Sequence, residues 1–293
     1  MQNSTADARH TEQIAAHGLK AVRLRGSGSE ALIYLQGGHL ASFRTSEHGE
    51  LLWVSERAVY APGKAIRGGV PICFPWFGAH GTRPDLPAHG FARTREFHFE
   101  GSEVRGDDVV AELSLSNDAE TMTSFPHAFK ARLRLSVGRE LSLAFEVENT
   151  GQGAFDYELA LHTYLGVSDV RNVELLGLAG ARYDDKVSGA RGVVQGDEPV
   201  RFVAETDRVY DSGGRVSVLD AARKRRLEID KTCSATSVVW NPWIDKAKRM
   251  SDFGDDEWPG MLCVETANTG PHRITLLPAS RHTTTAIISA ETP

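Results

Sequence analysis

The strictest constraint on this chain is an alternation. From Phe129 to Val137, residues Phe129, Ala131, Leu133, Leu135 and Val137 interleave with Lys130, Arg132, Arg134 and Ser136. After Gly138-Arg139-Glu140 the pattern resumes in Leu141, Leu143, Phe145 and Val147. Period two sends alternate side chains to opposite faces of a strand, so the two runs form a hairpin with one dry and one wet face. A dry sheet face has to be covered by another layer, and the rest of the chain must supply it.

What it supplies is more strand. Short apolar or alternating runs fall at 31–36, 40–44, 51–54, 96–100 and 109–116, and after the hairpin at 156–167, 173–178, 216–220, 227–231, 237–240, 261–266, 274–277 and 284–289. Turn chemistry separates them, as in Asn149-Thr150-Gly151, Asp211-Ser212-Gly213-Gly214 and Asn268-Thr269-Gly270-Pro271. Helical patterning is confined to a short piece at 11–17 and a turn or two at 244–250. Many strands without βα alternation predict an all-β fold, an antiparallel sandwich or barrel with few short helices. No repeat or linker composition divides it, so residues 1–293 are read as one domain, with 1–18 as a polar lead-in.

One stretch breaks the pattern. Residues 66–93, IRGGVPICFPWFGAHGTRPDLPAHGFAR, neither alternate nor repeat helically. Pro71, Pro75, Pro84 and Pro87 remove backbone donors, while Gly68, Gly69, Gly78 and Gly90 permit strained turns. Long loops inside a compact domain are usually functional or disordered. Val70, Ile72, Phe74, Trp76 and Phe77 carry too much apolar surface for disorder, so the stretch is expected to form the wall of a binding site.

Acidic residues exceed basic ones 39 to 33, a net charge of −6, which gives no basic excess to attract nucleic acid or a membrane. The RKRR run at 223–226 reads as a solvated strand end or turn. Cys73, Cys233 and Cys263 are widely spaced and form no metal-binding or disulfide pattern. The N-terminus lacks an apolar leader core, and no apolar run approaches membrane-spanning length. A cytoplasmic, monomeric protein that uses no metal or organic cofactor is expected, with no nucleic-acid or membrane partner.

His162, in ALHTYLGV (160–167), shares a strand face with Glu158, Ala160 and Tyr164; Glu265, in MLCVETAN (261–268), stands opposite Leu262 and Val264. Taken singly, each is as readily a satisfied core or surface group as a reactive one. Together with IRGGVPICFPWFG (66–78), LPAHGFAR (86–93), ETDRVY (205–210) and VVWNPW (238–243), they make a set spread in order over about two hundred residues. In these strings the chain resembles the hexose-6-phosphate mutarotases, the glucose-6-phosphate 1-epimerase branch of the aldose 1-epimerase family.

That resemblance implies a galactose-mutarotase-like antiparallel β-sandwich with the sugar in a groove on one sheet. It implies interconversion of the α and β anomers of a hexose 6-phosphate, most naturally glucose 6-phosphate, by ring opening and closure. It places the catalytic histidine at His162, the catalytic glutamate at Glu265, a sugar-hydroxyl ligand at Asp207, and phosphate or substrate contacts at Arg67 and Arg93. Some relatives have Gln before the His-Gly-Phe-Ala-Arg string. Here Ala88 stands there and cannot hydrogen-bond through its side chain, which makes His89 the candidate for that contact. With ordinary pKa values, Glu265 is an ionised base and His162 an acid near neutrality. Trp240 and Trp243 are either a sugar-site floor or core. The alternative is a non-catalytic sugar-binding or sensing domain on the same fold; a glycoside hydrolase using Asp207 and Glu265 would leave His162 and both arginines without a role.

Overall fold

The computed structural model describes residues 9–293. The reading of the first eight residues as a polar lead-in without a leader lies outside the described residues. Strands Phe129–Val137 and Leu141–Asn149 pair antiparallel with Val137 opposite Leu141, so the three residues 138–140 form the expected connection. Their apolar side chains are buried, while Arg132 faces outward between Glu146 (2.6 Å) and Glu148 (3.0 Å). This hairpin lies within an eight-stranded antiparallel sheet. It continues on one side through Arg281–Glu291, Arg225–Thr232, Val216–Asp220 and Glu174–Leu176, and on the other through Asp108–Ser116 and His98–Arg105.

A second sheet covers its dry face. Its strands run in the order Val193–Val194, Arg182–Asp185, Thr206–Tyr210, Thr236–Asn241, Met261–Asn268, Leu159–Leu161 and Ile72–Cys73, with Tyr164–Gly166 also pairing to Met261–Asn268. Leu262, Val264, Val239, Leu159, Leu161 and Ile72 from this sheet share one core with Leu133, Leu143, Phe145, Ala286 and Ile288 from the first. An antiparallel sandwich is the result. Phe74, from the proline-rich stretch, sits in that core with its ring centroid 5.3–6.1 Å from those of Phe91, Phe125, Phe129, Phe145 and Tyr157. Among the described residues no helix is long and apolar enough to cross a membrane.

Several local expectations change. Residues 11–17 are not helical: His10–Ala16 is a strand paired with Leu19–Gly26 through His17 (φ 50°) and Gly18 (φ 78°), a two-residue turn of the kind that matches strand twist. About two helical turns are too few to offset the nucleation cost of an isolated helix, whereas as a strand Ile14 and Ala16 cover Leu19, Ala21, Tyr34 and Ile66. Residues 51–54 make only isolated bridges, from Leu52 to Leu165 and Val54 to Gly68. The run 156–167 is three strands, Phe155–Tyr157, Leu159–Leu161 and Tyr164–Gly166, with His162 in the second break. The basic run at 223–226 is not all solvated, because Arg225 is buried and donates to the carbonyls of His48, Glu50 and Gly166.

Candidate active site

The alternation that builds the second sheet also builds the site. Leu262 and Val264 point into the core, so Cys263, Glu265 and Ala267 point the other way. Val209 is opposite Val238, and Val238 is opposite Glu265. The strand next to Glu265 pairs Leu161 with Thr266 and Tyr164 with Cys263, which brings His162 level with Glu265. One register step away, Asp207, Trp240, Cys263 and Tyr164 form a parallel row. On the other side the row is Thr236, Ala267, Ala160 and Cys73, all small, which leaves room above the sheet.

Over these rows lies a cavity of about 490 Å³, a size that suits a small molecule. Phe77, Gly78, Ala79 and His89 from the proline-rich stretch wall one side, as expected of it. Arg67, Met250, Lys186 and Lys246 complete the surround, with Glu265, His162, Tyr164, Asp207, Val238 and Trp240 in the remaining wall and floor. His162 is in the strand break because the stretch docks there: His162 N–H donates to the Pro71 carbonyl at 3.0 Å and Tyr164 N–H to that of Gly69 at 2.9 Å. Its imidazole lies parallel to Tyr164 (centroids 4.7 Å, 10°), whose other neighbour in the stack is Trp53 (5.8 Å, 20°). Trp240 and His89 meet the His162 ring edge-on at 6.1 and 6.0 Å.

His162 Nε2 lies 3.3 Å from Glu265 Oε1, with Glu265 only 1% exposed. His162 Nδ1 and Glu265 Oε2 are buried and have no hydrogen-bond partner among the described residues. Burial raises the Glu265 carboxyl well above its usual range, and the Asp207 charge adds to this while Arg93 opposes it. Burial lowers His162 well below 6.5, helped by His89, Arg67 and Arg93. The ordinary pKa values expected from sequence therefore do not hold. A buried, facing acid and base favour the arrangement with one proton between them, because that form carries no net charge.

Asp207 lies in the wall, its carboxyl raised by burial and pulled back by Lys246 (3.6 Å) and Lys186. His89 is in the wall at φ 66°; burial, Arg93 and Arg67 lower its pKa to about 3, so its ring is neutral. Arg67 is in the wall but engaged: Nε and Nη2 fork onto Asp252 at 3.3 and 3.2 Å, and Nη1 donates to the Tyr164 hydroxyl at 3.0 Å. That uses three of its five N–H donors. Arg93 is not in the wall; it donates to the Ala88 carbonyl at 2.7 Å and acts on His162, His89 and Glu265 through its charge. Arg67 and Arg93 thus stand in different settings. Trp240 is in the wall, whereas Trp243 packs on Trp258 at 4.3 Å, away from the cavity.

Tyr164, Lys186, Lys246 and Met250 were not singled out in the sequence. Tyr164 had a signal, its two-residue spacing from His162. A surface lysine has none.

A β-sandwich carrying a buried His–Glu pair on the open face of one sheet, beneath a glycine- and proline-rich wall, has the form of a sugar mutarotase. Residues 20–289 match the family model described as Aldose 1-epimerase, and the chain belongs to that family. It is 38% identical over 261 residues to a Cenchrus ciliaris protein provisionally named glucose-6-phosphate 1-epimerase, covering 85% of this chain and 78% of the relative. An Escherichia coli K12 protein with the same provisional name is 36% identical over 239 residues, 81% of this chain and 79% of the relative. Among solved structures, a Salmonella typhimurium protein provisionally described as a mutarotase superposes with a TM-score of 0.88 at 29% identity, covering 97% of this chain and 93% of that one.

Proposed function

We propose that this chain interconverts the α and β anomers of a hexose 6-phosphate, glucose 6-phosphate foremost. The observation that carries the reading is the 3.3 Å contact between His162 Nε2 and Glu265 Oε1 at the floor of a sugar-sized cavity. In the reactive arrangement Glu265 is the carboxylate and His162 the imidazolium, reached from the uncharged pair by moving one proton across that contact. Glu265 takes the proton of the anomeric hydroxyl as His162 delivers one to the ring oxygen, and the C1–O5 bond breaks to give the open-chain aldehyde. Rotation about C1–C2 presents the other carbonyl face. Closure then returns each proton by the same route.

Asp207 accepts from a sugar hydroxyl in this reading, and neutral His89 offers a ring N–H or lone pair beside Ala88. Arg67 keeps two N–H donors after serving Asp252 and Tyr164, and Arg93 adds positive potential, so both favour a substrate dianion. The relatives' shared name supports the phosphorylated substrate. The test is anomer exchange by NMR at equilibrium. Exchange of glucose 6-phosphate anomers should quicken with enzyme and no product should appear. An exchange rate independent of enzyme would overturn the reading.

A further inference from the structure

The cavity's charges are unequally committed. Arg67 is held by Asp252, and Lys246 by Glu205 at 3.0 Å and Asp207 at 3.6 Å. Lys186 differs. Among the described residues its ammonium has no carboxylate within 4.0 Å and no hydrogen-bond partner, although its charge reaches Asp207. Its backbone is nevertheless fixed. Lys186 N–H donates to the Asp207 carbonyl at 2.7 Å, and the Asp185 carboxylate accepts from Val187 N–H and Ser188 N–H, pinning the turn that follows.

Lys186 also lines a second cavity of about 330 Å³, and Phe77 is common to both walls. The lysine therefore stands where the two spaces meet. In the second space the carboxylates are occupied: Glu158 by the N–H groups of Phe77 and Gly270, Asp184 by that of Gly192, and Asp211 by His272. Arg182, which lines it too, has no such partner among the described residues.

A dianion entering beside Asp207 and Glu265 needs cations that are not already neutralised. We infer that Lys186 is the residue that makes this site prefer a phosphorylated over an unphosphorylated hexose, its ammonium closing on the phosphate at the junction of the two cavities. The inference rests on the hexose-phosphate reading above but concerns binding, so it is tested without catalysis. The rooted backbone and free side chain suit the task, since a lysine ammonium is a mobile point charge that can follow a phosphate.

The experiment is calorimetric titration of wild type, Lys186→Met, Lys186→Arg and Arg182→Met with glucose 6-phosphate and with glucose. Lys186 is exposed, so its variants keep the fold. Loss of a charge-assisted hydrogen bond should weaken glucose 6-phosphate binding about 10- to 100-fold in Lys186→Met and leave glucose within about twofold. Lys186→Arg should restore most of the difference, and Arg182→Met should show a smaller, salt-sensitive loss. Equal weakening of both sugars, an unchanged preference in Lys186→Met, or a wild type without preference for the phosphate would each overturn the inference. A wild type that prefers the phosphate but does not speed anomer exchange would leave it standing and overturn the catalytic reading instead.

Discussion

At the scale of single residues, the His162–Glu265 pair yields two expectations. Glu265→Gln keeps the shape and removes the base, and His162→Ala removes the acid; each should lower the catalysed exchange rate about 10²- to 10⁴-fold. The urea midpoint should not fall in Glu265→Gln, because a buried carboxyl with one unbonded oxygen contributes little to folding. Near-normal exchange by the folded variant would refute the role. The second concerns pH. In water a glutamic acid near 4.5 and a histidine near 6.5 hold one proton between them only over that interval. Burial opposes both the pair with two protons and the pair with none, so the interval widens at both ends. The kcat/KM profile for glucose 6-phosphate should show a plateau broader than about two pH units; a narrow bell between the free values would mean that water reaches the pair. These two residues were visible as candidates in the sequence, but their electrostatics were not. The rings that enclose His162 belong to Tyr164, Trp240 and His89, brought together from three separate stretches.

At the scale of elements, the hairpin was legible because its signal is local, and side-chain period and turn are contained in twenty-one residues. The strand Thr206–Tyr210 was not. Thr-Asp-Arg-Val-Tyr has no apolar alternation, because Asp207 faces the cavity and Arg208 lies over Tyr183 at 4.9 Å. The break at His162 was hidden for the opposite reason: its flanks read as one continuous apolar strand, and the partner that interrupts it lies about ninety residues earlier. That partner, the 66–93 stretch, gives a sharp test. Gly90 has φ 70°, and a Cβ there would fall 2.0 Å from the Phe74 carbonyl oxygen. Gly106 has a similar φ of 61° with nothing within 4 Å among the described residues. Gly106→Ala should cost only the left-handed backbone penalty, about 1–2 kcal/mol by urea unfolding, with activity retained. Gly90→Ala should cost more and also reduce exchange, since the neighbouring His89 shifts with the wall. Equal effects in the two variants would mean that the wall tolerates displacement.

At the scale of the whole molecule, the same closeness that builds the site makes the fold sensitive to acid through a residue outside it. His39 is 1% exposed beneath Gly69, and neither ring nitrogen has a hydrogen-bond partner among the described residues. Burial, with a smaller push from Arg93, lowers its pKa to about 3. The unfolded chain binds a proton there below about 6.5 and the native protein does not. Stability from this residue is therefore complete above pH 6.5 and is lost as pH falls toward 3, at up to about 1.4 kcal/mol per unit. His89 works in the same direction, whereas the raised carboxyls of Asp207 and Glu265 work in the other, so the net slope alone is ambiguous. A variant isolates the contribution. His39→Leu retains the bulk, removes two unbonded nitrogens, and should match or exceed wild-type stability at pH 7. Between pH 7 and pH 5 its advantage should grow by about 2 kcal/mol, as wild type alone loses the His39 contribution. Urea unfolding of both proteins at the two pH values measures that double difference. A difference that stays constant would show that His39 takes up its proton within the fold, and that the packing beneath the site wall opens to water.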